Sequence, residues 1–545
     1  MLRVRRLGAV TYAEAYDLQH ALAERARDDY LLLLEHPAVY TLGVRADPAH
    51  VLRDPASVGA VLCETDRGGD VTYHGPGQLV AYPIVTVLGE PGAGRAHVHR
   101  LEQVVIDTLD VLGLSAGRHP GYPGVWVGLG EGLPRKVAAV GVKAVRVADG
   151  RKRTLHGVAL NVDCDLGMFG HIVPCGIAQL PVTSLRNEGL QASMDEVVSA
   201  FAERASAMWG QGGTEVQAVT LRAPAHGGGD APARPLLRRL RQAGVDPDGG
   251  LPVRTRKPEW LRAPAHIGAE YLALGRTIHG LGLVTVCEEA GCPNIFECWS
   301  EGTATFMVNG SRCTRACGFC LVDTRLPLPL DPGEPERVAE AVERMGLAHA
   351  VVTCVARDDL PDGGAGAIAA TVRAIRRRCP ATAVEVLISD CKGDATSLEV
   401  VLDAAPDVFN HNVETVARLQ RAVRPSASYA RSLTVLARAA ARGLVVKSGL
   451  MVGLGETEDE VVATLADMAA VGVSIATIGQ YLRPSADHLP VARWWTPEEL
   501  AALGDAGRRL GLAHVEASPL ARSSYHARGA AEAAGVPVRL AAGAR

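Results

Sequence analysis

The sequence predicts two domains, an N-terminal α+β domain and a C-terminal α/β domain built as a barrel or partial barrel. Three observations carry this. A chain of 545 residues exceeds one hydrophobic core and fits two to four domains. Residues 222–234, RAPAHGGGDAPAR, are rich in Ala, Gly and Pro and lack apolar periodicity, as a flexible connector does. They leave about 220 residues on one side and about 310 on the other, each enough for its own core. Finally, only the C-terminal part alternates apolar, β-branched runs with helical stretches, which implies parallel strands joined by right-handed crossovers.

In the N-terminal part (1–221), helices are expected at 12–26 and 98–112, and strands at 30–35, 78–87, 125–127 and 137–147. A basic helical stretch, PLLRRLRQAG, follows the connector, and a loop lies around 246–250. In the C-terminal part (235–545), strands are expected at 350–355, 384–388, 408–409, 445–452, 475–481 and 514–515. Helices fall between them at 335–345, 366–378, 428–442, 458–471 and 497–510. Sites in such folds lie at the carboxyl ends of the strands. Polar residues occupy those ends: Arg357, Asp358 and Asp359, then His411, Asn412 and Glu414, then Gln480 and Arg483.

Composition excludes some classes of function. A formal charge of −4 gives no general basic footprint for nucleic acid. No apolar run approaches the ~20 residues of a membrane helix. The N-terminus starts basic, but Glu14 and Asp17 interrupt any apolar leader. A cytoplasmic protein with reduced thiols is expected, interacting with neither nucleic acid nor membrane.

Six of the 12 cysteines fall between Cys287 and Cys320, as two triplets. Cys287, Cys292 and Cys298 form CEEAGCPNIFEC, and Cys313, Cys317 and Cys320 form CTRACGFC. Structural zinc takes a closed set of four ligands, often from CxxC pairs, and neither triplet has a nearby fourth Cys. A four-iron cluster held by three thiolates keeps one iron open. Two triplets therefore suggest two clusters with room for chemistry. Cys63, Cys164, Cys354, Cys379 and Cys391 read as small buried hydrophobes.

The second triplet, with Phe319 before its last Cys, resembles the motif of radical S-adenosylmethionine enzymes. The resemblance implies a partial (β/α)6 barrel and a cluster whose open iron chelates S-adenosylmethionine and generates a 5′-deoxyadenosyl radical. With the first triplet, GTATFM between, and RSSY near residue 524, the chain resembles lipoyl synthase. That implies that Cys313, Cys317 and Cys320 hold the radical-generating 4Fe–4S cluster. It also implies that Cys287, Cys292, Cys298 and Ser524 hold an auxiliary 4Fe–4S cluster that gives up sulfur. An electron donor such as ferredoxin or flavodoxin is implied as well.

In the N-terminal part three segments stand out: RGGDVTYHGPGQ at 67–78, RKVAAVGVK at 135–143, and HGVALNVDCDLGMFGHIVPC at 156–175. Glycines in the first allow turns and close approach of backbone to a ligand. Cys175, between Pro174 and Gly176, is a candidate nucleophile in a tight turn, and a cation such as Lys136 would favour its thiolate. Together the segments resemble lipoyl(octanoyl) transferase over roughly 2–220, a family related in fold to biotin and lipoate ligases. The resemblance makes Cys175 the acyl-thioester nucleophile and Lys136 its partner. It lines the octanoyl pocket with Arg67, Gly68, Gly69, Asp70, Val71, Thr72, Tyr73 and His74. Ala139, Val140 and Gly141, and Gly157, Val158 and Ala159, complete it.

The two resemblances are consecutive steps of one pathway. Octanoate passes from acyl carrier protein to a lysine of a lipoyl carrier domain, and sulfur is then inserted at two carbons of the chain. Carriers of that kind belong to 2-oxoacid dehydrogenase complexes and to the glycine cleavage H protein. Two readings stay open beside this one. The clusters would merely carry electrons in one, although electron carriers generally ligate every iron through Cys. In the other, the N-terminal half would be an ATP-dependent ligase, although ligases of that fold have no Cys nucleophile.

Overall fold

The computed structural model describes residues 1–87, 92–130, 132–220, 235–262, 268–289, 292–300 and 303–537. The chain divides into two units, Met1–Ala218 and Val219–Arg545. The sequence had placed the boundary three residues later. Thr220 Oγ1 donates to the Arg418 carbonyl at 2.8 Å, which ties this residue to the second unit. The expected connector at 222–234 lies outside the described residues.

The first unit is α+β. Its main sheet runs Thr214–Ala218, Leu2–Ala9, Asp29–Glu35, Gln78–Ile84, Lys152–Asn161, Arg135–Arg146, Tyr122–Val127, Gly117–His119, and Thr86–Val87 pairs beside Lys152–Asn161. A smaller sheet joins Val61–Glu64, Val39–Leu42 and Thr72–His74. The helix Tyr12–Arg25 starts in a capping box, with Thr11 and Glu14 satisfying each other's backbone N–H. The helices Ala93–Val111 and Met194–Trp209 pack on each other and on the sheet through Leu101, Val105, Val197 and Phe201.

Two glycines of the suspected pocket serve the sheet. A Cβ at Gly157 would stand 2.1 Å from the Ala81 carbonyl oxygen, and one at Gly141 would stand 2.9 Å from the Gly68 carbonyl oxygen. The close approach that requires glycine here is backbone on backbone, and it shapes the cavity wall.

The second unit is α/β. Seven strands are parallel and paired in chain order: Thr303–Val308, His349–Cys354, Ala383–Leu387, Val408–Asn410, Val445–Val452, Ile475–Gln480 and His514–Ala517. Val284–Thr285 adds antiparallel at one edge. Among the described residues the first and last strands of this path are not paired, as in a partial barrel. Expected and observed strands agree within a residue or two. The strand Thr303–Val308 and the helix Ala395–Leu402 were not anticipated. Inside the sheet, Glu385 is fully buried. It accepts from Lys447 Nζ at 3.0 Å and from Asn410 Nδ2 at 3.0 Å, with His349 Nε2 3.3 Å away.

Among the described residues no helix is long and apolar enough to cross a membrane.

Candidate active sites

A cavity of about 580 Å³ opens in the first unit. Cys175 and Lys136 both line it, together with Arg67, Gly68, Gly69, Asp70, Thr72 and His74. Ala139, Val140, Gly141, Gly157, Val158 and Ala159 complete the wall the sequence had pointed to. Val71 and Tyr73 do not line it. They pack into a separate core cluster with Tyr40, Cys164 and Phe169. The strand Thr72–His74 explains the difference, because alternate side chains leave opposite faces.

Cys175 sits in a one-turn segment with φ 56° and ψ 19°, a left-handed conformation rare for a side-chain-bearing residue. Two backbone hydrogen bonds tie that turn to neighbouring segments. The Cys175 N–H donates to the Val71 carbonyl and the Val173 N–H to the His50 carbonyl, each at 2.8 Å. Strain of this kind persists only where its surroundings over-determine it, and it is common at functional sites. Lys136 is buried on the strand Arg135–Arg146, its Nζ 4.8 Å from the Trp126 ring centre in a cation–π contact.

Arg67 is buried and bound to Thr41, donating to its carbonyl at 2.6 Å and to its Oγ1 at 2.8 Å. His74 is held by Gln78 Oε1 at 2.8 Å, and burial keeps its ring well below the usual histidine range. The sequence did not single out several further residues of the cavity, namely Tyr12, Arg45, Tyr82 and Tyr122. His156, which in sequence could equally be a polar residue satisfied within the fold, lines the cavity. Its Nε2 lies 2.6 Å from Asp66, which also accepts from Lys143 at 2.6 Å. Asp66 precedes Arg67 directly, but a lone acid in sequence gives no sign of a partner 90 residues away.

In the second unit a cavity of about 490 Å³ is lined by Cys287, Cys292 and Ser524, by Phe319 and Cys320, and by Asn412, Glu414 and Arg483. It therefore brings members of both triplets to one space. The remaining strand-end residues brace loops elsewhere. Arg357 pairs with Asp359 at 2.8 Å, and the buried His411 lies 3.0 Å from Ser432 Oγ. Gln480 binds the backbone of Tyr481 and Arg493. Asp358 accepts from Arg315, a residue inside the second triplet that the sequence reading passed over. Arg315 binds Asp358 at 2.8 Å and Asp390 at 2.6 Å, fixing the Cys313–Cys317 loop.

The donor set fits thiolate-bound iron. In the first triplet Cys287 donates to Cys292, which holds the Cys292 thiol down to about 6 and pushes Cys287 up. Arg522 adds positive charge beside Cys292. In the second triplet burial pushes Cys317 up to about 12 and Cys320 to about 11, and a bound cation would favour their thiolates. Among the described residues no group of three His, Cys, Asp or Glu side chains is arranged to hold a single metal ion. Of the cysteines read as buried hydrophobes, Cys164 and Cys391 are buried, while Cys63, Cys354 and Cys379 are partly exposed.

Comparison with known proteins bears on both sites. Residues 307–468 match the family model of the radical SAM superfamily, and 11–206 match that of the lipoyl protein ligase A/B catalytic domain. The second unit is thus a radical S-adenosylmethionine enzyme, and the first carries a catalytic domain of the lipoate ligase and transferase class. The chain is 55% identical over 298 residues to lipoyl synthase of Rubrobacter xylanophilus, covering 53% of this chain and 93% of that protein. It is 53% identical over 293 residues to lipoyl synthase of Symbiobacterium thermophilum, covering 52% of this chain and 92% of that one. Through its second half the chain belongs to the lipoyl synthase family. A bipartite lipoate protein ligase of Thermoplasma acidophilum aligns with a TM-score of 0.32 at 16% identity, over 40% of this chain and 87% of that one.

The chain therefore joins two enzymatic domains of lipoate metabolism, and its radical half uses S-adenosylmethionine and iron–sulfur chemistry.

Proposed function

We propose that this chain builds the lipoyl group on its carrier in two steps. The first unit transfers an octanoyl group from octanoyl-acyl carrier protein to a lysine of a lipoyl carrier domain, through a thioester on Cys175. The second unit then inserts two sulfur atoms into the bound chain. Carrier domains of 2-oxoacid dehydrogenase complexes and of the glycine cleavage H protein are its substrates, ferredoxin or flavodoxin its electron donor, and the cytoplasm its compartment. The transferase step is assigned to the unit Met1–Ala218 and the sulfur insertion to the unit Val219–Arg545, with 222–234 as the connector.

The observation that carries the reading is that Cys287 and Cys292 of one triplet, Cys320 of the other and Ser524 all line a single cavity. Two 4Fe–4S clusters fit, one on Cys313, Cys317 and Cys320 and one on Cys287, Cys292, Cys298 and Ser524. When bound, they supply a radical-generating centre with S-adenosylmethionine and a store of sulfide. The chain's own residues hold and enclose. Arg315 fixes one cysteine loop through Asp358 and Asp390, Asn412 binds the loop that carries Ser524, and Phe319 with Tyr481 closes the cavity with apolar surface. In the first unit Cys175 attacks the acyl thioester, and Lys136 faces the same space to donate a proton to the departing thiolate.

The test replaces each triplet by Ala. Loss of Cys313, Cys317 and Cys320 together is expected to stop cleavage of S-adenosylmethionine and to leave about half the iron. Loss of Cys287, Cys292 and Cys298 is expected to leave cleavage intact and abolish the lipoyl product. Both variants losing cleavage while keeping one intact cluster would overturn the division. For the first unit, octanoyl transfer that requires free octanoate and ATP would overturn thioester transfer in favour of ligation.

A further inference from the structure

The turn that carries Cys175 rests against an acid–imidazole pair that the two-residue reading of this site leaves unused. His50 Nδ1 lies 2.6 Å from Asp70 Oδ2. The other Asp70 oxygen, Oδ1, accepts from the Val71 N–H at 2.6 Å and the Asp47 N–H at 3.3 Å, so the carboxylate is fixed from three sides. The pair meets the nucleophile turn directly. A Cβ at Gly176 would stand 2.7 Å from Asp70 Oδ2 and 3.6 Å from His50 Cε1. The backbone closes the same contact, because the His50 carbonyl accepts from Val173 and the Val71 carbonyl from Cys175. Among the described residues the remaining ring nitrogen, His50 Nε2, has no hydrogen-bond partner. The His50 side chain is 30% exposed.

A carboxylate bound to Nδ1 leaves Nε2 as the free, basic nitrogen, which is how an imidazole is oriented for proton transfer. The reaction needs such a group. In the second half-reaction a carrier lysine arrives from solvent and attacks the acyl-thioester carbon. A C–N bond forms, the C–S bond breaks, Cys175 leaves as thiolate, and the attacking nitrogen must lose a proton. Lys136 lies against Trp126 and lines the cavity, whereas His50 is partly exposed and packs against Gly176, a lining residue next to Cys175.

We propose that His50, oriented by Asp70, is the base that takes the proton from the attacking carrier lysine and then returns it to the Cys175 thiolate. The proposal rests on Cys175 being the acyl carrier. It assigns the two proton transfers to two residues: Lys136 acts in loading the enzyme, and His50 in discharging it.

The test uses the full chain loaded with octanoyl-acyl carrier protein and followed by mass spectrometry, with the adduct on Cys175 and its discharge to a lipoyl carrier domain timed separately. In His50→Gln the ratio of discharge rate to loading rate is expected to fall about 100-fold, within the range for loss of a general base. In Asp70→Asn it is expected to fall about 10-fold. Added imidazole is expected to restore discharge in His50→Gln, which a merely structural defect would not allow. Equal slowing of loading and discharge, or no rescue, would overturn the proposal. An adduct that both variants discharge at the native rate would overturn the role of His50 alone. No adduct on Cys175 of the native chain would overturn the thioester reading and this proposal with it.

Discussion

Asn412 donates its side-chain amide to Ser523 Oγ at 2.7 Å, so the loop after one central strand of the second sheet holds the loop after the last. The neighbouring residue, Ser524, lines the cavity with Cys287 and Cys292. Ser523→Ala removes one hydrogen bond, worth about 1 kcal/mol, and keeps Ser524. Iron and sulfide content measured anaerobically are expected to stay near native, while lipoyl product on a carrier domain falls several-fold. Ser524→Ala is expected to lower the iron content itself. Native product yield from Ser523→Ala would show that the bond does not hold the loop.

Gly176 should not tolerate a side chain. Its φ of 70° is left-handed, and a Cβ there would meet Asp70 Oδ2 at 2.7 Å. An L-residue in that conformation costs about 1–2 kcal/mol before the clash is counted. Gly176→Ala is expected to slow octanoyl loading of Cys175 at least 10-fold, as read by intact-mass spectrometry, with a small loss of thermal stability. Unchanged loading would mean that the turn's geometry does not matter.

His97 predicts an acid limit to stability. It is fully buried in the helix Ala93–Val111, both ring nitrogens lack hydrogen-bond partners among the described residues, and burial lowers its pKa to about 4. An unfolded histidine titrates near 6.5. Above that pH neither state binds the proton. As pH falls from about 6.5 towards 4 only the unfolded chain binds it, so stability is lost, by about 3 kcal/mol in full. His36, buried and lowered to about 4, adds in the same direction. Denaturant titrations of the first unit's transition at pH 7.5 and 5 are expected to show the drop, and His97→Leu to shrink it. A His97→Leu curve parallel to the native one would refute the assignment.

Lys447 and Glu385 form a buried ion pair in the second sheet, each about 1% exposed at the side chain. Lys447→Met is expected to cost about 3–5 kcal/mol, because it strands a buried carboxylate. Adding Glu385→Gln is expected to recover much of that, because the remaining amide is neutral. Calorimetry of both variants decides it. Equal melting temperatures for the single and double variants would rule out the pair as the source of the loss.

The sequence carried much of this architecture because parallel strands buried on both faces read as apolar runs, as in 445–452, whose limits match the structure. It did not reveal the strand Lys152–Asn161. That segment begins KRT and contains His156, and Arg153 pairs with Asp29 while His156 pairs with Asp66. Polar residues whose partners are distant in sequence look like loop. The same reason hides Asp66, His50 and Arg315, each meaningful only through a contact formed by the fold. Conversely, Val71 and Tyr73 lie within a recognisable motif yet face away from the cavity, because motif membership does not say which face of a strand a side chain takes.

Pairing strands strictly in chain order has a consequence for manufacture. Cys292 and Ser524 line one cavity but are separated by most of the second unit. A ribosome adding about 5–20 residues per second needs roughly 10–50 s to travel from one to the other. During that interval the first cysteine triplet exists without the wall that completes its cavity. If a cluster is held here as proposed, its complete ligand set exists only after the chain has been made as far as Ser524.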